Sequence, residues 1–345
     1  MALQDHGGWP GVLRPVVDGH DLSADAAAAA MGAILNGEAS GAQIAAFIVA
    51  LRMKGETVDE MAGMVRAMLD AATPLELDAD VIDIVGTGGS PSRRGAALNV
   101  STMACFVAAG AGAVVCKHGN RAASSTSGSF DLLEMLGLPM DLDAAGVARC
   151  VREARVGFAF ARAFHPAMRH AAPVRAEIGI PTVFNLLGPL AHPGHVRRQV
   201  LGVADPSMAE RMVRVLAATG SVHSMVVSGP GNLDELSTTG LSTVHHWHDG
   251  ELHHYELAPE DVGLRRASMG DLVGGNSATN AAIARSVLRG DPGPMRDIVV
   301  LNAAAGLVVA DVVDDLAVGV TRAQASIDSG AAQAALDTLL AVSRA

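Results

Sequence analysis

Up to Pro74 the apolar positions recur with the period of an α-helix, and polar capping residues divide the stretch into segments. A serine or threonine at the N-cap, followed three residues later by glutamine or glutamate, is the pattern of a capping box. The predicted helices are residues 23–36, beginning at Ser23 and ending before Gly37; residues 44–54, after Ser40 and Gln43; and residues 61–72, after Thr57 and Glu60. We expect three short helices in a small bundle, either an interface or a helical subdomain with no partner.

From residue 81 the pattern changes to short apolar runs that alternate with helical stretches. The predicted strands are residues 81–85, 113–116, 199–203 and 223–229, and the predicted helices are residues 102–110, 129–136, 143–154 and 206–218. Strands that alternate with helices through short loops are typical of an α/β fold with a mostly parallel sheet. Ligands bind beyond the carboxyl ends of such strands, so we expect functional residues in the loops that follow them.

The loop after the first predicted strand is rich in glycine, since residues 86–89 read Gly-Thr-Gly-Gly. Backbone N–H groups with no Cβ beside them can approach a phosphate closely. Residues 99–102 open the next helix, whose N-terminus adds a positive dipole. A glycine-rich turn is more often only a tight turn. The prediction that this loop binds phosphate therefore depends on the residues in the loops after the other strands.

The loop after the second predicted strand concentrates polar groups. Residues 117–121 read Lys-His-Gly-Asn-Arg, and Lys117 is one of two lysines in the chain. Serines follow at positions 124, 125, 127 and 129, before another predicted helix. A cation, an amide and hydroxyls at a helix start suit an anionic ligand. The plainer interpretation is a solvated polar loop.

Two acidic residues, Asp234 and Glu235, follow the predicted strand at 223–229 and a Gly-Pro-Gly turn. Adjacent carboxylates at the carboxyl end of a strand can hold Mg²⁺ directly or through water. Such a pair alone is usually solvated surface, so the prediction depends on the other loops.

A histidine-rich segment covers residues 245–254. We interpret it as a hairpin around Asp249-Gly250, with alternating histidines that face solvent. Adventitious metal binding is compatible with this arrangement, but a catalytic metal is not predicted.

Composition narrows the class of protein. Hydrophobic residues make up 50% of the chain and charged residues 18%, which supports a sizeable core. The formal net charge of −11 disfavours nucleic-acid binding. Cys105, Cys116 and Cys150 form no CxxC pair, so neither a zinc knuckle nor a disulfide framework is predicted.

The same sequence predicts a soluble cytoplasmic protein with no membrane partner. No apolar run reaches the roughly 18 residues of a membrane span, and the first residues lack the pattern of a signal peptide. The catalytic motifs GxSxG, HExxH, Walker A and GxGxxG are also absent.

Together, the motifs resemble the anthranilate phosphoribosyltransferase family over nearly the whole chain. The segments that carry the resemblance are residues 47–63, 83–89, 99–102, 117–137, 164–179, 182–193, 233–235, 274–282 and 301–306. The most specific signal is KHGNR with its serines, followed in the same order by FNLLGPL. The wider fold group also includes pyrimidine nucleoside phosphorylases, whose lysine-serine loop does not read like this one.

The resemblance implies a small N-terminal helical domain plus a large, mostly parallel α/β domain, resembling the nucleoside phosphorylase/phosphoribosyltransferase fold. The helical domain would be residues 1–78, joined by helices from about 165–190, and the large domain residues 79–345. The implied assembly is a homodimer through the helical domain. The implied reaction joins phosphoribosyl pyrophosphate and anthranilate, with Mg²⁺, to give phosphoribosyl-anthranilate and pyrophosphate in tryptophan synthesis.

The resemblance also implies roles for individual residues. The catalytic residues would be Lys117, Asn120 and Arg175. Phosphoribosyl pyrophosphate would contact Gly86, Gly89, Ser90, Asn99, Val100, Ser101, Thr102, Lys117, His118, Gly119, Asn120, Arg121, Ala122, Ala123, Ser124, Ser125 and Ser129. Anthranilate would contact Gly86, His118, Asn120, Arg175, Gly188 and Pro189, and Mg²⁺ would bind Ser101, Asp234 and Glu235.

Three departures from the family pattern affect these expectations. The glycine loop ends in Ser90 rather than an aspartate and continues into a longer segment with two arginines, at 93 and 94. We expect such a loop to attract pyrophosphate more strongly and to depend less on a second Mg²⁺. Ala97 replaces a threonine, and Pro181 replaces an arginine beside the acceptor site.

Two alternatives follow from these departures. The first is a paralogous phosphoribosyltransferase that acts on a different aromatic amine; the altered loop and Pro181 favour it, and the retained Asn120 and Arg175 oppose it. The second is a non-catalytic relative that binds nucleic acid. Such a protein should be basic and should have lost the LDE or KHGN residues, whereas this chain is acidic and keeps both.

Overall fold

The computed structural model describes residues 2–88, 90, 97–122 and 126–345. Its first helices are α1 Gly8–Val17, α2 Ala24–Leu35, α3 Gly41–Lys54 and α4 Val58–Asp70. The predicted caps are confirmed: Ser23 accepts a hydrogen bond from the N–H of Ala26, and both predicted capping boxes form. The expectation of three helices was wrong by one, because α1 contains two prolines, which are more typical of a loop. Pro10 lies in the first turn, where a helix tolerates proline.

Between residues 82 and 228 strands alternate with helices as predicted, whereas the four helices after residue 276 were not predicted. The strands are β1 Ile82–Gly86, β2 Val115–Gly119, β3 Val156–Phe160, β4 Arg198–Gly202, β5 His223–Ser228, β6 Ser242–His248 and β7 Glu251–Leu257. The helices are α5 Val100–Gly110, α6 Ser129–Leu136, α7 Ala144–Ala154, α8 Ala161–Phe164, α9 Ala172–Ile178, α10 Val183–Leu190, α11 Ala209–Ala218, α12 Ser277–Leu288, α13 Pro294–Val309, α14 Leu316–Asp328 and α15 Ala331–Val342. Strand β3 was not predicted.

The strands form one seven-stranded sheet in the order β3-β2-β1-β4-β5-β6-β7. The first five are parallel, and β6 and β7 add an antiparallel hairpin. This confirms the mostly parallel sheet and the hairpin around Asp249-Gly250. Strand β2 lies further along the chain than predicted, because it pairs with β3 as far as Gly119. Lys117 and His118 therefore lie within a strand rather than in the loop after it.

Helices cover both faces of the sheet. Side chains of a strand alternate between faces, and Ile84 and Val85 accordingly belong to different apolar clusters. The cluster around Val85 also contains Phe47 of α3 and Phe184 of α10, so α10 packs with the N-terminal helices. The proposed boundary between residues 78 and 79 stays a prediction.

Two other sequence predictions concern burial. Cys105, Cys116 and Cys150 are free and buried, which confirms the absence of a disulfide among them. The expectation that the hairpin histidines face solvent holds for His253 and His254 but was wrong for His246, which is partly buried. Among the described residues, no helix is long and apolar enough to cross a membrane.

Candidate functional site

The glycine loop and the acidic loop meet at the carboxyl edge of the sheet. The backbone N–H of Gly88 donates a hydrogen bond to the Oδ2 atom of Asp234 at 2.7 Å. The N–H of Thr87 donates to the carbonyl of Gly202 at 2.9 Å, which ties the same loop to the end of β4. Two loops far apart in the sequence thus form one surface, as their positions after parallel strands suggested.

Two glycines allow this close approach. A Cβ on Gly86 would lie 2.3 Å from Asp234 Oδ2, and a Cβ on Gly202 would lie 1.7 Å from the carbonyl oxygen of Asp234. A side chain at position 202 would therefore displace the backbone of the acidic loop, and a side chain at position 86 would displace the carboxylate of Asp234. Gly202 is a site-forming residue that the sequence analysis missed, because its role depends on a contact with a distant loop.

A buried asparagine also fixes the backbone of the acidic loop. The side chain of Asn302, on α13, accepts a hydrogen bond from the N–H of Leu236 at 3.0 Å and donates to its carbonyl at 2.9 Å. These two bonds fix the backbone next to Asp234 and Glu235, whose side chains are partly exposed. The carboxylate oxygens of Asp234 and Glu235 are of the kind that Mg²⁺ prefers as ligands.

Lys117 is the middle residue of β2. Its side chain is buried, and Nζ donates to the carbonyl of Ile84 at 2.6 Å. Asp83 lies nearby, where its carboxylate accepts hydrogen bonds from the N–H of His118 and the amide of Gln199, both at 3.2 Å. Burial raises the pKa of Asp83 to about 7, and the charge of Lys117 opposes that shift. The sequence analysis did not identify Asp83 as a partner of this lysine.

Three buried histidines lie beside this pair. The ring centroid of His118 is 5.2 Å from that of His165 and 5.7 Å from that of His192. Burial lowers the pKa of His165, lowers that of His118 well below its usual value, and lowers that of His192 to about 3. His192 Nδ1 accepts from the N–H of Gly194 and Nε2 lies 2.8 Å from the carbonyl of Cys116, so this ring is neutral with its proton on Nε2. Of these three histidines, only His118 was predicted from the sequence to belong to the site.

The start of α5 is organised by Asn99. Its side chain does not cap its own helix. Instead, Asn99 Oδ1 accepts hydrogen bonds from Ser127 Oγ at 3.0 Å and from Asn280 Nδ2 at 2.8 Å. The first-turn N–H groups of α5, which have no partner within the helix, are thus left uncapped by this side chain, and the buried hydroxyl of Thr102 has no hydrogen-bond partner among the described residues. Asn280 was missed as a site residue because it lies 181 residues from Asn99.

The structure describes only some of the residues predicted to bind phosphoribosyl pyrophosphate in the segment after β2. Asn120 is exposed, and its carbonyl accepts a hydrogen bond from Ser129 Oγ at 3.1 Å. Arg121 forms ion pairs with Asp131 at 3.0 Å and with Glu134 at 2.7 Å, so its guanidinium is engaged with α6. Gly89, Ala123, Ser124 and Ser125 lie outside the described residues, as do both arginines of the 91–96 segment.

The residues predicted for the acceptor lie around α10. The guanidinium of Arg175 is 5.1 Å from the ring centroid of Phe184, and burial lowers its pKa. Within the described ranges, Arg175 has no carboxylate at ion-pairing distance. Further along α10, the backbone of Gly188 lies near the His118 ring and opposes the lowering of its pKa, and the carbonyl of Pro189 accepts from Gln199 at 2.9 Å. Arg175 and His118 therefore both lie beside this helix.

Comparisons with known proteins show the family to which the chain belongs. The family model described as "Glycosyl transferase family, a/b domain" matches residues 78–333, and "Glycosyl transferase family, helical bundle domain" matches residues 10–72. An anthranilate phosphoribosyltransferase of Chloroflexus aggregans is 53% identical over 334 residues, which are 96% of this chain and 97% of that protein. The chain belongs to the anthranilate phosphoribosyltransferase family.

Solved structures of family members have the same fold. The enzyme of Thermus thermophilus matches with a TM-score of 0.91 and 43% identity, over 97% of this chain and 99% of that one. The enzyme of Saccharomyces cerevisiae, in complex with PRPP and Mg, matches with a TM-score of 0.88 and 29% identity, over 97% and 98% of the two chains. The small helical part and the mostly parallel α/β sheet are therefore those of the family.

The structure describes three departures from the family pattern: Ser90, Ala97 and Pro181. Ser90 is buried. Ala97 contributes through its carbonyl, which accepts a hydrogen bond from Asn280 at 2.7 Å. Pro181 is exposed and directly precedes Thr182, whose N–H donates to Asn185 Oδ1 at 3.0 Å at the start of α10. The buried Thr182 hydroxyl has no hydrogen-bond partner among the described residues, so only one half of the capping box is formed after the proline.

Proposed function

We propose that this chain transfers the phosphoribosyl group of phosphoribosyl pyrophosphate to anthranilate, giving N-(5-phosphoribosyl)anthranilate and pyrophosphate in tryptophan biosynthesis. The observation that carries the proposal is the junction of the glycine loop with the acidic loop through Gly88 and Asp234. It places the glycine loop against two carboxylates at one edge of a sheet, in a chain closely related to enzymes of this name.

The chemistry requires no strong base. The bond between the anomeric carbon of ribose and the pyrophosphate oxygen breaks, and a bond from that carbon to the amino nitrogen forms. The nitrogen then loses one proton. An aromatic amine is already unprotonated near neutral pH, so catalysis consists of positioning and of stabilising charge on the ribose and the leaving pyrophosphate.

The pyrophosphate end is assigned to the glycine loop and the start of α5. The N–H of Val100 donates to the carbonyl of Leu98 at 2.9 Å, so the first turn offers an anion the N–H groups of Ser101 and Thr102, together with a positive dipole. Gly86, Ser90, Asn99, Asn120 and Ser129 line the same edge in this proposal. Arg121 would first have to leave its ion pairs with α6 to reach a phosphate.

Lys117 acts from within the sheet in our proposal. Its buried ammonium is bonded to the carbonyl of Ile84, in the middle of β1, and lies close to Asp83. A positive charge that cannot reach solvent still stabilises negative charge that develops a short distance away. Lys117 thus contributes to the electrostatics of the leaving group.

Mg²⁺ fits the donors of the acidic loop. Asp234 and Glu235 provide carboxylates, and Ser101 provides a hydroxyl, all of them hard oxygen ligands. When bound, Mg²⁺ neutralises charge on the pyrophosphate. The yeast relative named above is described in complex with PRPP and Mg.

The acceptor end is assigned to Arg175 and its surroundings. A guanidinium without a carboxylate partner among the described residues can pair with the carboxylate of anthranilate through two parallel hydrogen bonds. The Phe184 ring beneath it fixes its position at 5.1 Å. In this proposal His118, Asn120, Gly188 and Pro189 complete the acceptor pocket, and the neutral state of His118 keeps a second positive charge away from the amine.

We also propose a homodimer through the helical domain and a cytoplasmic location. Two apolar side chains of the N-terminal helices, Val17 and Met53, are 70% and 83% exposed, which supports a partner surface there. The free, buried cysteines are compatible with a reducing compartment. Sedimentation of the purified chain would test the dimer, which predicts a mass twice that of the 35.2 kDa chain.

The acceptor is tested by pyrophosphate release. Purified protein with phosphoribosyl pyrophosphate and Mg²⁺ is offered anthranilate or one of several other aromatic amines. We expect pyrophosphate release with anthranilate at the highest kcat/KM. Release with another amine but not with anthranilate would replace the proposal by the paralogue, and a salt-sensitive DNA complex without turnover would favour the nucleic-acid-binding relative.

A further inference from the structure

A second group of polar side chains lies at the opposite edge of the sheet, where the parallel strands begin. His223 is the first residue of β5, and His246 and His248 belong to β6. Asp311 follows α13. Since the carboxyl ends of the strands carry the phosphoribosyl site, this group is separate from it.

Strand register brings these side chains together. Strands β5 and β6 pair with His223 opposite His248 and with Met225 opposite His246. Residues opposite each other, and residues two apart on one strand, lie on the same face of a sheet. The three imidazoles therefore lie on one face of the sheet. The sequence of β6 alone does not show this, because the position of His223 depends on how β5 pairs with β6.

The distances within the group are short. His223 Nδ1 is 2.7 Å from Asp311 Oδ1, and His223 Nε2 is 2.8 Å from His246 Nε2. The ring of His248 stacks on that of His223 with centroids 3.9 Å apart, and its Nε2 is 3.9 Å from Asp311 Oδ1. One ligand atom from each of His223, His248 and Asp311 lies within 4.8 Å of the other two.

We propose that His223, His248 and Asp311 bind one divalent transition-metal ion, of the class that imidazole prefers, such as Zn²⁺. Ligand atoms about 2.0–2.2 Å from a tetrahedral ion lie roughly 3.3 Å apart. The ion would replace the hydrogen between His223 Nδ1 and Asp311 Oδ1. For this, the distance between these two atoms must increase by about 0.6 Å to reach the separation of two ligands of a tetrahedral ion.

Some of the surrounding groups favour a metal ion at this site, and one of them lowers the affinity of the site for it. His246 can accept the proton of His223 Nε2, which fixes the ring as the outer partners of metal-bound histidines do. His248 is next to the hairpin turn and its side chain is 41% exposed, so its ring can turn toward the ion. Arg198 pairs with the other oxygen of Asp311 at 2.5 Å and opposes a cation, whereas Asp249 is 3.7 Å from His248 and favours one.

The protonation states at neutral pH suit a metal. Burial lowers the pKa of His223 and lowers that of His246 to about 4, while the hydrogen bonds of Asp311 to His223 and Arg198 lower the pKa of its carboxyl. The imidazoles of His223 and His246 are therefore neutral and the carboxylate of Asp311 is charged. A metal here would join the start of β5, the end of β6 and the segment after α13, so it would stabilise the fold and leave turnover unchanged.

The test uses Zn²⁺ on the full chain without an affinity tag. Zn²⁺ is titrated against a chromophoric chelator in excess Mg²⁺, and the melting temperature is followed in parallel. The test variants are His248→Ala and Asp311→Asn, and His254→Ala is the matched control because it removes an exposed histidine from the same hairpin. His248→Ala removes a half-exposed side chain, so it should fold even if changes at the buried His223 do not.

We expect one Zn²⁺ per chain that raises the melting temperature of the wild-type protein and the control. Each test variant should weaken this binding at least about tenfold, with turnover in Mg²⁺ unchanged for His248→Ala. The proposal is overturned if the wild-type chain binds no Zn²⁺, or if His248→Ala and Asp311→Asn bind it as tightly as wild type. Loss of binding in His254→Ala alone would assign the ion to the His245 and His254 pair, whose rings are 4.6 Å apart, and would also overturn it.

Discussion

The backbone N–H of Gly88 donates a 2.7 Å hydrogen bond to the carboxylate of Asp234, which is 146 residues away in the sequence. One oxygen of the carboxylate is thereby fixed against the glycine loop. A carboxylate has lone pairs for several partners, so the same group can hold the loop in place and bind a cation. The predictions below separate these two tasks.

The position of the acidic loop depends on Gly202. The change Gly202→Ala places a Cβ 1.7 Å from the carbonyl oxygen of Asp234, so residues 233–235 must move. A misplacement of about 1 Å in a site costs on the order of a hundredfold in rate, and we expect a loss of that size in kcat/KM for phosphoribosyl pyrophosphate. The control is Gly32→Ala in α2, where a Cβ meets nothing within 4 Å. Equal activity in both variants would show that the loop position is unimportant.

The charge of Asp234 is tested by Asp234→Asn. The amide oxygen can still accept the hydrogen bond from Gly88, so the loop should stay in place while a negative ligand is lost. We expect the Mg²⁺ concentration for half-maximal rate to rise about tenfold or more, with an unchanged melting temperature in the absence of Mg²⁺. Asp337→Asn, on the exposed side of α15, is the control. An unaltered Mg²⁺ titration for Asp234→Asn would remove this residue from the metal site.

The acceptor site is tested at Arg175. Replacement by glutamine removes a charged hydrogen-bond donor, which is worth roughly 1.5–3 kcal/mol. We expect the KM for anthranilate to rise by about 10- to 100-fold, while the KM for phosphoribosyl pyrophosphate stays within about twofold. Arg175→Lys should restore only part of the affinity, because an ammonium cannot form the bidentate pair. A rise in both KM values together would instead indicate a general disturbance of α9 and α10.

The buried His192 makes the fold sensitive to acid. Burial lowers its pKa from 6.5 to about 3, so the unfolded chain binds a proton between these values and the folded chain does not. Its contribution to stability is therefore present above about pH 6.5 and is lost as the pH falls toward 3. Asp83, with its pKa raised to about 7, has the opposite effect, since its contribution is lost as the pH rises through that value.

Comparison of variants isolates the histidine from Asp83. In His192→Gln the amide can still donate to the carbonyl of Cys116, but the titrating ring is gone. We expect the free energy of unfolding to fall less steeply between pH 6.5 and 4, by about 1.4 kcal/mol per pH unit. Urea unfolding across this range measures the slope, with His20→Gln as the exposed control. Parallel slopes for wild type and His192→Gln would contradict the buried, neutral state of the ring.

Ser90 is tested by restoring the carboxylate that the family has at this position. We expect Ser90→Asp to increase the dependence of the rate on Mg²⁺ and to weaken the binding of pyrophosphate, because the loop gains a negative charge. Product inhibition by pyrophosphate and a Mg²⁺ titration measure the two effects. The hypothesis fails if the Mg²⁺ dependence of the variant equals that of wild type.

Local patterns predicted three of the four N-terminal helices, all strands except β3, and the edge of the sheet at which the glycine loop and the acidic loop meet. Capping boxes at Ser40 and Thr57 marked helix starts correctly because the cap and its partner are three residues apart. The alternation of strands and helices likewise predicted that the loops at 86–90 and 233–235 would share one edge.

The contacts that complete the site could not be predicted in this way. Asn280 reaches Asn99 across 181 residues, and Gly202 is required only because Asp234 lies against it. The burial of Lys117 followed from the pairing of β2 with β3, a strand that was not predicted. Each of these features depends on which segments are neighbours in the sheet.

The proposed reaction is tested most directly by the fluorescence of anthranilate. The purified chain is mixed with anthranilate, phosphoribosyl pyrophosphate and Mg²⁺, and the loss of fluorescence is followed while each component is omitted in turn. We predict a rapid loss that requires all three components and the protein, and that slows strongly in Arg175→Gln. Fluorescence that persists in the complete mixture, with a folded protein, would contradict the assignment of anthranilate as the acceptor.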